Sequence, residues 1–161
     1  MSKTMKALRP CAAVAALLAT FSTLAAGGHT GGHGNAAAAA VGKPGKPSQV
    51  TRTIEIGMTD DMRFTPESID VKAGETVSFN VTNSGVIRHE MVLGTPADLG
   101  SHYQMMMNDP GMRHEEPNSV SLEAGKSGQI IWTFDTAGRV AFACLEPGHY
   151  PAGMKGTITV Q

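Results

Sequence analysis

The sequence predicts an all-β fold, an antiparallel β-sandwich of about 110 residues, and three observations carry that prediction. From Val50 to Gln161, apolar residues recur with a period of two in one short run after another, which is the pattern of strands with one face buried. Turn-forming clusters separate the runs: Ala73-Gly74-Glu75, Asn83-Ser84-Gly85, Glu123-Ala124-Gly125-Lys126 and Thr136-Ala137-Gly138. Glycine and asparagine supply there the backbone conformations that other residues resist. The composition, 41% apolar and 17% charged, is that of an ordinary globular chain.

The elements follow in order. Ile54 and Ile56 alternate with polar neighbours, as do Ile69 and Val71, and then Val77, Phe79 and Val81. From Arg88 to Leu93, His89 shares a face with Met91 and Leu93, while Glu90 and Val92 point the other way. Pro96 to Asp109 breaks the alternation, and Ala97, Asp98, Leu99 and a Met-rich stretch predict a helical turn or short helix, a flap between strands. Alternation resumes at Ile130, Trp132 and Phe134, continues through Val140, Phe142 and Cys144, and ends at Ile158 and Val160.

Upstream of Val50 the composition changes. Residues 1–26 read as a secretory signal peptide: Lys3, Lys6 and Arg9 form a positive start, Cys11 to Leu24 an apolar run, and Ala25, Ala26 and Gly27 a small-residue cleavage region. The apolar run is too short to span a bilayer, so export with cleavage near Ala25 or Ala26, and no membrane insertion afterwards, is expected. Residues 27–49, rich in Gly, Ala and Pro, lack the material for a core and read as a flexible linker without fixed structure. Its two histidines, His29 and His33, could hold a metal loosely, although such a pair more often does nothing specific. Residues 50–161 form the one folded domain.

Cleavage would leave Cys144 as the only cysteine, with no internal disulfide open to it. A solitary thiol in an exported protein is vulnerable to oxidation unless it is buried or bound to a metal. From Val50 onward there are 14 acidic and 8 basic residues, a formal net charge of −6. That balance argues against nucleic acid as a partner.

The densest chemistry lies in Cys144-Leu-Glu-Pro-Gly-His149-Tyr-Pro-Ala-Gly-Met154, which puts a thiolate, an imidazole and a thioether on one loop before the last strand. Thiolate and thioether select copper, imidazole suits either of its oxidation states, and two His with Cys and a weak axial Met make a type 1 copper set. His89 supplies the second imidazole, because it stands on the inward face of its strand. Zinc is the competing metal for Cys with two His, but the thioether and the sandwich context favour copper. A buried free thiol beside a core histidine would account for Cys144 and His149 without explaining Met154 or His89. Met154 is the expected axial ligand; the alternative is that it only packs, with a Gln or a backbone carbonyl serving axially.

From about Met62 to Gln161 the sequence resembles the cupredoxins, the small blue and green copper proteins. The likeness extends to the periplasmic cupredoxins of bacterial copper-tolerance systems through four runs: Met62-Arg-Phe-Thr-Pro66, Arg88-His-Glu-Met-Val-Leu-Gly94, Gly111-Met-Arg-His-Glu-Glu-Pro-Asn118 and Phe142-Ala-Cys-Leu-Glu-Pro-Gly-His149. The resemblance implies a Greek-key arrangement of the sandwich and copper ligands at His89, Cys144, His149 and Met154. The four residues between successive loop ligands resemble the longer-loop members rather than plastocyanin. It further implies a monomeric periplasmic protein that carries one electron or handles copper in copper tolerance, with a redox or copper-handling protein as partner. A dedicated respiratory electron carrier is the alternative. A copper enzyme is the weaker one, since no HxH pair occurs and an axially closed site leaves no strong position for a substrate.

A second cluster, His102, Met105, Met106, Met107, Met112 and His114, contains four of the ten methionines. Thioethers bind Cu(I) well, so a second Cu(I) site stands beside the plainer expectation of a Met-lined flap packed over the copper loop.

Overall fold

The computed structural model describes residues 41–109, 111 and 116–161. The signal and the histidines of the linker, like Met112 and His114, lie outside the described residues. Within them run β1 (Lys43–Pro44), β2 (Arg52–Thr59), β3 (Arg63–Thr65), β4 (Ser68–Val71), β5 (Thr76–Asn83), β6 (His89–Gly94), α1 (Pro96–Asn108), β7 (Ser119–Leu122), β8 (Ser127–Thr133), β9 (Gly138–Ala143) and β10 (Lys155–Val160). Two five-stranded sheets result, ordered β1-β8-β5-β2-β3 and β4-β10-β9-β6-β7.

The alternation works as expected in β5, where Val77, Phe79 and Val81 are fully buried in the core shared by the two sheets. From the opposite sheet Met91, Leu93, Phe142 and Ile158 meet them, and Phe64 stands edge-on to Phe142 at 5.0 Å. Predicted turns form at Gly74 (φ +82°) and Gly125 (φ +70°), where only glycine is unstrained. Asn83 is buried at the end of β5. Its amide donates to the carbonyls of Ile87 and Leu122 at 2.8 and 3.0 Å, and its carbonyl accepts from Gly85 N at 2.9 Å. This fixes the loop that feeds His89 into β6.

Two features differ from the sequence-based expectation. The sheets are mixed rather than purely antiparallel: β2 runs parallel to β5, and β4 parallel to β10. The chain between β2 and β5 passes through β3 and then through β4 in the other sheet, so β5 returns in the direction of β2 without a hairpin. The fold also begins before Val50. Lys43 and Pro44, placed by composition in the linker, pair with Thr133 and Trp132 of β8, and Trp132 Nε1 donates to Val41 O at 2.7 Å. A buried indole N–H needs an acceptor, and the upstream chain provides it.

The flap is a full helix. Thr95 caps α1 by accepting from Asp98 N at 3.1 Å, with Pro96 opening the first turn. Leu99 and Met106 of α1 pack with Val92, Ala143 and Leu145 in a second apolar cluster, with Tyr103 against it. This cluster covers the outer side of the β6–β9 pair. Strand β6 is therefore buried at all six positions, with His89, Met91 and Leu93 on the inner side and Val92 on the outer.

Candidate metal centre

Val92 pairs with Ala143, and Lys155 with Ala143 on its other side. The start of β6, the end of β9 and the start of β10 therefore meet at one end of the sandwich. The loop from Cys144 to Met154 closes there, held by Cys144 N to Met154 O at 3.1 Å and Met154 N to His149 O at 3.2 Å. Donor atoms of His89, Cys144 and His149 come within 4.8 Å of one another. Cys144 Sγ and His149 Nδ1 are 3.3 Å apart, and the two imidazole rings lie 4.9 Å apart at 52°.

His89 is completely buried. Its Nε2 faces Asp60 Oδ1 at 3.0 Å, while its Nδ1 has no hydrogen-bond partner. A proton on Nε2, pointed at a carboxylate, leaves a bare lone pair on the unpartnered Nδ1, in a ring whose donor lies within 4.8 Å of the thiol and the second imidazole. A buried polar atom without a partner is costly, and a metal ion at this position would relieve that cost. Asp60 is itself fixed by Val86 N at 2.8 Å, and this bond first, then His89, holds its carboxyl below the usual value.

Burial pushes the Cys144 thiol up to about 12, although backbone N–H groups of Glu90 and Glu146 pull the other way. Glu90 N lies 3.4 Å from the sulfur. Burial, followed by the nearby His89, lowers the His149 imidazole. Without a metal, burial thus favours the neutral forms of the Cys144 thiol and the His149 imidazole, and binding has to displace the thiol proton.

Met154 is fully buried in the same apolar cluster as Cys144. Glu90 and Glu146 are engaged elsewhere. Glu90 accepts from Leu145 N at 3.0 Å and from Ser121 Oγ at 3.1 Å. Glu146 faces Arg88, with Nη2 donating to Oε2 at 2.8 Å and Nε 2.6 Å from Oε1. That pair ties the residue before one imidazole to the loop carrying the other. A thiol and two imidazoles gathered beside the buried Met154 fit copper, since thiolate and thioether suit Cu(I) and imidazole suits either oxidation state.

The second cluster is divided by the helix. Met106 is fully buried under Leu145, Met107 is exposed, and His102 and Met105 line a separate cleft. Asp60 and the tyrosines went unanticipated. Tyr103 and Tyr150 stack at 5.4 Å, Tyr103 Oη accepts from Gly148 N at 3.4 Å, and Lys155 Nζ lies 4.1 Å over the Tyr150 ring. The one sequence signal for Tyr150 is its position next to His149.

Comparison with known proteins agrees with this geometry. Residues 50–161 match the family model described as copper binding proteins, plastocyanin/azurin family. The chain is 48% identical over 114 residues to the copper-resistant cuproprotein CopI of Rubrivivax gelatinosus, covering 71% of this chain and 69% of that protein. It is 40% identical over 143 residues to CopI of Pseudomonas aeruginosa, covering 71% and 78%. Among solved structures, auracyanin B superposes with a TM-score of 0.62 at 25% identity, covering 74% of this chain and 96% of that one. No helix among the described residues is long and apolar enough to cross a membrane. A matched region holding every strand from β2 to β10, together with a thiol and two imidazoles gathered at the loop-closed end of the sandwich, places the chain in the plastocyanin/azurin family of copper binding proteins.

Proposed function

We propose that the chain is an exported, monomeric periplasmic protein that handles copper in copper tolerance, holding one ion through His89 Nδ1, Cys144 Sγ, His149 Nδ1 and Met154. The observation that carries the reading is the unpartnered, buried Nδ1 of His89, facing a thiol and an imidazole already in contact. Likeness to the two CopI proteins supports copper tolerance as the setting. The reading takes residues 1–26 as a signal peptide removed on export. A bound copper supplies a one-electron couple. The protein's part is to keep the His149 imidazole neutral by burial, to orient His89 through Asp60, and to exclude water with the core around Met154. With four donors from the chain no strong position is left for a substrate, so we read the protein as a carrier or holder and not as an enzyme.

Spectra of the copper-loaded protein and its variants test this. Cys144→Ala should abolish the intense visible band that a thiolate–Cu(II) pair gives, and an intense band persisting near its original position would remove the type 1 assignment. Met154→Gln should keep the colour and lower the reduction potential, because an oxygen donor favours Cu(II), whereas Met154→Leu should raise it. A shift of about 59 mV corresponds to a tenfold change in the one-electron equilibrium. Wild-type potentials in both variants would show that Met154 is not a ligand. A deletion strain should be sensitive to copper.

A further inference from the structure

At the far end of β6 from His89 the two sheets part and leave a cleft of about 500 Å³. Strand β1 and Trp132 form one wall, Leu93 forms the floor, and α1 forms the other wall with Asp98, His102 and Met105. These three residues are spaced i, i+4, i+7 on the helix and so share one face. Leu99, Tyr103 and Met106 occupy the other face, packed around Leu145. That packing sets the rotation of the helix and keeps His102 and Met105 turned to the cleft.

We infer that this cleft is a second copper site, a labile one selective for Cu(I), with the His102 imidazole and the Met105 thioether as ligands. A methionine that serves packing is buried, as Met106 is, whereas Met105 is 46% exposed and stands one helical turn from an imidazole. One imidazole and one thioether are a soft pair that suits Cu(I) and gives zinc or magnesium too few hard donors. Apolar walls at Trp132 and Leu93 disfavour the more highly charged Cu(II). Asp98, with one carboxylate oxygen held by Thr95 Oγ1 at 2.6 Å, adds negative charge beside an incoming cation. Roughly 15 Å of strand separates this position from His89. The inference does not depend on the type 1 assignment, because it uses none of those residues.

Anaerobic titration of the exported protein with Cu(I) against a chromogenic Cu(I) chelator tests it. The wild type should take up about two equivalents, and the paired substitution His102→Ala with Met105→Leu about one, with the visible band on oxidation unchanged. Cys144→Ala should also retain about one equivalent, without the band, so loss of either site is read separately. Other soft donors of the chain could mimic the stoichiometry, and Ag(I) added to protein labelled at the methionine methyl carbons resolves this. The Met105 methyl resonance should shift while that of Met107 stays in place. A paired variant that keeps the wild-type stoichiometry, or a Met105 resonance unmoved by Ag(I), overturns the proposal.

Discussion

Cys144 faces opposite demands from burial and from ligation. Its thiol is held at about 12, yet a ligand has to be a thiolate, so metal binding supplies the charge that the apolar surroundings refuse. In the unfolded chain the same thiol titrates near 8.5. The folded value is the higher one, so folding favours the protonated form. That stabilisation is complete below about pH 8.5 and is lost as pH rises toward 12. For the metal-free protein, urea unfolding at a series of pH values between these limits should show about 1.4 kcal/mol less stability per pH unit than Cys144→Ser, whose hydroxyl does not ionise. Parallel curves for the two proteins would mean that the thiol is not buried as described. The donors gathered here were legible in the sequence, because soft residue types at loop spacing point to copper before any fold is known. Asp60 was not. It reaches His89 across 29 residues from a turn, and a lone carboxylate in a turn carries no pattern that names its partner.

At the scale of elements, α1 links the outer layer of the sandwich to the copper loop. Leu145 directly follows Cys144 and is sealed between Leu99, Met106 and Ala143. Met106→Ala should cost about 2–4 kcal/mol through the cavity it leaves. It should also change the electron paramagnetic resonance spectrum of the copper-loaded protein, because Leu145 loses its support. Met106→Leu should cost less than about 1.5 kcal/mol and leave the spectrum unchanged. A wild-type spectrum from a destabilised Met106→Ala would reduce the helix to a cover with no hold on the site. The strands were readable from alternation, but alternation reports faces and not the direction of a neighbour, so the two parallel pairs were not. The helix lies where the break in alternation placed it, but its periodicity was weak because its buried stripe is narrow: Leu99 and Met106 are the only fully covered positions among its 13 residues.

For the whole molecule, the start of the fold matters more than its composition suggests. Lys43 and Pro44 carry no strand signal, since proline and a two-residue length argue against one, yet they close the open side of the first sheet and bring Val41 O to Trp132. A chain beginning at Val50 should lose about 1–3 kcal/mol, mainly from the unsatisfied indole N–H. Its copper spectrum should be unaltered, since the metal centre lies at the other end of β6. Thermal unfolding beside a visible spectrum checks both halves of this expectation, and an undiminished melting temperature would contradict it.

The burial of β6 on both sides also sets how an ion held by His89 and His149 would come and go. His89 cannot turn aside without unpacking two layers at once, whereas Gly148, Pro151 and Ala152 at the tip of the loop are exposed. His89 is the fixed post and His149 the door. Exchange with the surroundings would then run through the exposed segment around His149, and on that reading its rate should follow the opening of that loop and not the unfolding of the sandwich.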